Sequence, residues 1–291
     1  MIQHTSYLKI RNPHMAMANV YLGPAGIPQY VVRAKSTLDA VKAVRELGLN
    51  AMEVEFVQGV RMSRELAKQV GKAARDYRVR LSVHAPYFIN LCSEEAEKVE
   101  KSRRRLVDSL DRAYHMEAWV VVVHAAYYGK LGPERCYEKV KEELERAYKE
   151  SGIGSGVYVG VEVTARTNQF GSVEETFKLA KELPFVTPVV DWGHLFARNG
   201  GVINYGEMLD LWQREFGDRH MHTHFTSVRY RNGKFVDEHE PIEREMPPFE
   251  PLAKELAKRD ITITLICESP LLEKDALLMK QMLEEQGVFL A

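Results

Sequence analysis

The sequence predicts an α/β fold, a (β/α)8 TIM barrel, on three observations. Short β-rich runs alternate with long amphipathic stretches from end to end, the pattern of parallel βαβ units. Eight such pairs follow one another without a linker, and several of the runs are almost wholly apolar, as strands covered on both faces should be. Side chains able to bind metals recur at the ends of these runs, and in a barrel all strand ends open on one mouth. With 291 residues, 45% of them hydrophobic, the chain is long for an ordinary domain but suits one barrel. A single domain is therefore expected over residues 19–291, with residues 1–18 as an extension outside it.

In chain order, the first strand is read at 19–22 and its helix at 36–47, with Ser36 as N-cap. The second strand falls at 51–56, before a helix at 63–77 that Ser63 caps. The third strand, 81–84, is ended by Pro86, which cannot continue a sheet, and Ser93 opens the helix at 93–114. The fourth, 119–124, contains Val120 to Val123, and its helix at 133–149 takes Pro133 into its first turn and stops at Gly152. The fifth strand is read at 158–162 with a helix at 172–182 capped by Ser172, and the sixth at 187–191 with a helix at 205–216. In the seventh, 220–225, His220, His222 and His224 alternate and so share one face; its helix is read at 248–258. The eighth strand, 262–268, runs into Pro270, and the last helix, 273–286, stops at Gly287.

Composition narrows the function. The longest apolar runs fall far short of the roughly 20 residues a membrane span needs, so no membrane partner is expected. The first 18 residues lack the apolar core of a secretory signal, so the expected location is the cytoplasm. A net charge of -1 means that any nucleic-acid contact must come from a local basic patch. Cys92, Cys136 and Cys267 show no paired spacing, which argues against a disulfide framework and against a thiolate zinc site.

Nine candidate ligands remain: His84, His124, Glu162, Asp191, His194, His224, Asp237, His239 and Glu268. His84, His124, Glu162 and Glu268 end strands, and an unpaired carboxylate at the end of a buried strand is costly unless a cation meets it. Asp191 and His194 form an Asp-Trp-Gly-His step after the sixth strand. His224 is the histidine of its strand nearest the mouth, and His220 and His222 are read as filling or supporting groups. Asp237 and His239, in the seventh loop, have a spacing that lets both reach one ion. Nine ligands exceed what one ion needs, and histidine with carboxylate but no cysteine favours zinc or manganese. Paired ions of that kind suit phosphodiester hydrolysis.

Together these residues resemble the endonuclease IV family of apurinic/apyrimidinic endonucleases. The segment His84-Ala85-Pro86-Tyr87-Phe88-Ile89-Asn90-Leu91 carries the likeness most specifically. It is supported by Val122-Val123-His124, Val161-Glu162, Val190-Asp191 with His194, His224 with Asp237 and His239, and Cys267-Glu268-Ser269-Pro270. The resemblance implies three Zn2+ per chain, with Mn2+ an alternative at one site. One ion would bind His84, His124 and Glu162; a second would share Glu162 and take Asp191, His224 and Glu268; the third would take His194, Asp237 and His239. Glu162 and Glu268 are then the expected catalytic carboxylates, Glu268 also orienting or deprotonating the attacking water.

The implied partner is double-stranded DNA with an abasic site, cut on its 5′ side by a monomer in base excision repair. Tyr87 and Phe88 match positions that fill the gap left by a flipped-out nucleotide. Arg61, Arg64, Lys130, Arg166, Arg198, Arg229 and Arg231 lie in or beside strand-end loops and could meet phosphates; Arg61, Arg64, Arg229 and Arg231 are the expected DNA contacts. Ala125-Ala126, Trp192-Gly193 and residues 240–245 depart from the family pattern, so the loops that hold DNA differ. Two other readings use the same barrel. A xylose-isomerase-like sugar isomerase or epimerase needs one ion on Glu162, Asp191, His224 and Glu268, and a non-cleaving damaged-DNA binder would keep its metals for structure.

Overall fold

A computed structural model describes residues 18–291. The expected extension at 1–18 therefore lies outside the described residues except for Ala18, which is buried. The chain runs β1 Asn19–Pro24, α1 Thr37–Glu46, β2 Ala51–Glu55, α2 Arg64–Tyr77, β3 Arg80–His84, α3 Ala96–Met116, β4 Val120–Val123 and α4 Gly132–Ser151. It continues with β5 Tyr158–Glu162, α5 Val173–Glu182, β6 Val186–Asp191, α6 Trp192–Arg198, α7 Tyr205–Phe216, β7 Met221–Phe225, β8 Ser227–Arg231 and β9 Lys234–Glu240. The last elements are a 3-10 turn at Ile242–Arg244, α8 Glu250–Leu256, β10 Thr262–Cys267 and α9 Glu273–Glu285.

Eight of these strands form one sheet in the order β1-β10-β7-β6-β5-β4-β3-β2, and its registered pairs are all parallel. The ends meet between β1 and β2, where Asn50 N donates to Leu22 O (3.1 Å) and Gly26 N to Glu53 O (2.9 Å). The Asn50 side chain strengthens this seam by accepting from Leu22 N at 2.8 Å. A Cβ on Gly23 would fall 1.5 Å from Ala51 O, so only glycine lets the two edges approach and the barrel close. The fold is thus the (β/α)8 TIM barrel that the alternation predicts. Its main core lies between the sheet and the helices, while Val120, Val122 and Val189 form a small separate cluster.

Local chemistry explains the helix ends. Ser36, Ser63 and Ser172 are N-caps, and Ser172 makes a reciprocal capping box with Glu175. Ser93 does not cap α3: its hydroxyl accepts from Glu95 N in a local turn, and the helix begins at Ala96. Gly152 caps α4 in the left-handed conformation.

Two features depart further from the expectation. The stretch after β6 is not a bare bend but the short helix α6, and the seventh loop holds the antiparallel hairpin β8–β9. Cys92 and Cys136 form a disulfide, which corrects the reading of three isolated thiols. They are 44 residues apart in sequence, yet folding sets their Cα atoms 5.3 Å apart, a proximity that spacing could not reveal. Cys267 is free and buried.

Candidate metal centre

Inward-facing side chains alternate along each strand, so the last inward position of a strand points into the mouth. His84 ends β3, Glu162 ends β5 and Asp191 ends β6; His124 and Glu268 directly follow β4 and β10. His224 lies within β7, one residue short of its end. The two unforeseen elements deliver the rest. Asp191 is the N-cap of α6, and its Oδ1 accepts from His194 N at 2.6 Å, which fixes His194 in the first helical turn. A Cβ on Gly193 would stand 2.8 Å from Thr226 O, so glycine allows α6 to pack this closely beside the chain after β7. On β9, Asp237 and His239 are two residues apart and share one face of the strand.

All nine predicted ligands are brought together, each within an overlapping group of donor atoms close enough to hold a cation. Glu162, fully buried, is the centre. Its Oε2 lies 2.7 Å from His124 Nε2 and 3.3 Å from His84 Nε2. Its Oε1 lies 3.1 Å from His224 Nδ1 and 3.3 Å from His194 Nδ1. Glu268 Oε1 stands 3.3 Å from His224 Nδ1, while Asp237 Oδ1 is 3.1 Å from His194 Nε2 and 3.7 Å from His239 Nε2. Backbone carbonyls orient three of the rings. His84 Nδ1 donates to Ala85 O (2.8 Å), His194 Nδ1 to Val163 O (3.0 Å) and His239 Nδ1 to Glu268 O (2.9 Å), which leaves each Nε2 free as a ligand.

The electrostatics call for positive charge. Burial opposes it, yet Glu162 with Glu55 and Glu53 pushes His84 up to about 10. Against the same burial, Asp237 and Glu268 raise His239 to about 9. His194 and His224 are driven well above the usual range by surrounding carboxylates despite burial. In turn, His124 and His224 hold the buried Glu162 carboxyl well below its usual range. Burial raises Glu268, with His224 and His239 opposing. Among the described residues Asp191 Oδ2 is buried without a hydrogen-bond partner, as suits an oxygen facing a cation. The donor set and this orphaned oxygen fit a polynuclear divalent centre.

Sequence reading missed Glu53 and Glu55. Glu53 is fully buried in mid-β2 and touches Ser82, His222 and His224. Burial pushes the Glu55 carboxyl up to about 8, against the pull of His84. A charged residue inside the run Ala51 to Phe56 was the available signal, the same one that pointed to Glu162.

The expected DNA contacts are more scattered. Tyr87 and Phe88 are exposed beside the ligands, with the Tyr87 ring centroid 5.2 Å from that of His84. Their loop is braced: Arg105 Nη1 donates to Phe88 O, and Asn90 Oδ1 accepts from Cys92 N and Tyr127 N. Arg61 is exposed in the β2–α2 loop. Arg64 is held by both oxygens of Asp111, Arg229 by Glu238 and Glu240, and Arg231 by Glu238. Arg198 is occupied with the carbonyls of Thr164 and Arg166.

Comparison with known proteins gives four matches of use. The family described as xylose isomerase-like TIM barrel matches residues 41–286. An uncharacterized protein of Methanocaldococcus jannaschii is 34% identical over 271 residues, covering 90% of this chain and 96% of that protein. Among solved structures, endonuclease IV from Thermus thermophilus superposes with a TM-score of 0.70 at 23% identity, covering 90% of this chain and 98% of the other. A D-tagatose 3-epimerase-like protein does so with a TM-score of 0.65 at 20% identity, covering 90% and 96%. Both structural likenesses concern the fold.

Proposed function

The chain belongs to the family of xylose isomerase-like TIM barrels, and within it we propose a zinc-dependent endonuclease that hydrolyses DNA 5′ to an abasic site. The observation that carries this reading is the five ligands beyond a one-ion set. Glu162, Asp191, His224 and Glu268 would suffice for a sugar epimerase, yet His84, His124, His194, Asp237 and His239 join the same cluster. Three ions bound there would activate water at neutral pH and stabilise charge on the departing oxygen.

The residues divide that work. Glu162 presents one oxygen to His84 and His124 and the other to His194 and His224, so it would bridge two ions. Glu268, whose carboxyl burial raises and so makes more basic, lies between His224 and His239 and is the group to orient the attacking water and, from its ionised form, take its proton. Tyr87 and Phe88 offer exposed rings to the gap opposite a flipped-out nucleotide. Beside Asp237 opens a cleft of about 820 Å³ lined by Arg166, Arg198, Arg231, Lys234 and Glu238, a seat for backbone phosphates once Arg231 gives up Glu238. Arg61 and Arg64, beside the β2–α2 loop, would offer separate phosphate contacts, and Arg229 would contribute on exchanging its hairpin acids for phosphate. This reading takes the protein as a single-domain cytoplasmic monomer acting in base excision repair.

The test is incubation of zinc-loaded protein with a duplex carrying one abasic analogue. Incision on the 5′ side is expected, and Glu268→Gln should lower its rate roughly 10²–10⁴-fold, the usual worth of a general base. His124→Ala should lower it as well, by removing a candidate metal ligand, though less than loss of the bridging carboxylate of Glu162. Three bound ions without cleavage would sink the nuclease reading. One bound ion with activity on a ketose would favour the epimerase, which shares the four-residue set.

A further inference from the structure

Glu53 is the buried charge that the nine-ligand assignment leaves without a task. It sits on β2, and its Oε2 accepts from Ser82 Oγ at 2.7 Å and lies 3.1 Å from His222 Nε2. Its Oε1 stands 2.9 Å from His224 Nε2, off the direction of a hydrogen bond, and neither of these two buried atoms has another partner among the described residues. The opposite nitrogen of the same ring, His224 Nδ1, faces Glu162 and Glu268 at 3.1 and 3.3 Å.

A neutral imidazole carries one proton on two nitrogens, and the nitrogen without it is the one that can bind a metal. His84, His194 and His239 settle this choice with nearby backbone carbonyls. His224 lies inside β7 and pairs in register with Ile266 and Asp191, so its neighbouring carbonyls belong to the sheet. A side-chain carboxylate takes their place. We propose that Glu53 is a positioning residue of the metal centre: its carboxylate, 2.9 Å from His224 Nε2, favours the tautomer protonated on that nitrogen by its charge rather than by an aligned hydrogen bond, and so leaves Nδ1 as the nitrogen that would take the ion held by Glu162, Asp191 and Glu268. A carboxylate also makes the ring a stronger donor than a carbonyl does. Ser82 and His222 fix Glu53 in turn, both donating to Oε2. This inference rests on the reading of His224 as a ligand.

Glu53, His222 and His224 are themselves close enough to hold a cation, which is the competing arrangement. The test is metal content and chelator-competition affinity for the wild-type protein and for Glu53→Gln, with the visible spectrum of the cobalt-loaded forms. The wild type should bind three ions. In Glu53→Gln one of them should bind about 10–100-fold more weakly, the usual effect of losing such a partner, with one altered cobalt band and the other two ions unchanged. Glu53→Asp keeps the charge but draws it back from the ring, so it should weaken the same ion by less, which also covers failure of the glutamine variant to fold. Unchanged affinity for all three ions in both variants would overturn the proposal. So would a fourth wild-type ion that is lost in Glu53→Gln. A wild type that binds no ions would instead remove the underlying reading, and is told apart because the loss precedes any substitution.

Discussion

Glu162→Gln is expected to cause the largest loss of activity of any single substitution in the chain. The carboxylate meets four imidazoles, two on each oxygen. An amide cannot bridge two cations as a carboxylate does, and it removes from a fully buried setting the anion that His84 and His124 face. Metal ions supply several kcal/mol of transition-state stabilisation. At about 1.4 kcal/mol per tenfold in rate, losing that share corresponds to roughly a thousand-fold or greater fall. Incision kinetics on an abasic duplex, read beside the metal content, check this: bound ions should fall from three towards one. Full metal content in the variant would show that Glu162 does not bridge.

The second large effect is on stability. Stripping the ions with a chelator should lower the melting temperature by on the order of 15 °C. Each ion present at a hundred times its dissociation constant adds about 2.7 kcal/mol, and a chain of this size shifts by roughly 2 °C for each kcal/mol. The metal-free site replaces cations by protons on His84, His194, His224 and His239, whose titration is raised by the surrounding carboxylates against burial. Metal must displace those protons, so affinity should fall as pH falls, and zinc uptake should release acid into a weak buffer. Calorimetry of the loaded and stripped forms measures the first effect, and a pH indicator the second. Equal melting temperatures would mean that the cluster is stable without metal.

The parts of the molecule legible in the sequence were those governed by periodicity. The eight barrel strands, the helices between them and the caps at Ser36, Ser63 and Ser172 follow from patterns that local sterics and burial enforce. The candidate ligands His84, His124, Glu162, Asp191 and Glu268 were legible because a polar residue ending an apolar strand has only the mouth to face. Glu53 escaped because it lies two residues short of its strand end, where it looks like part of the strand rather than part of a site. The hairpin β8–β9 had a signal: Asn232-Gly233 takes positive φ at both residues, as a tight hairpin turn requires, but the surrounding charges suggested a solvated loop. The helix α6 was too short, and too broken by Gly193, to show a helical period. The Cys92–Cys136 pairing and the acids facing Arg229 and Arg231 depend on the folded arrangement, which no spacing rule supplies.

Anomalous diffraction from zinc-loaded crystals at the zinc absorption edge would locate the ions of a three-ion centre built from these nine residues. Three peaks are predicted: one by His84, His124 and Glu162, one by Glu162, Asp191, His224 and Glu268, and one by His194, Asp237 and His239. A single peak at the second of these groups, with the other two empty at saturating zinc, would contradict it.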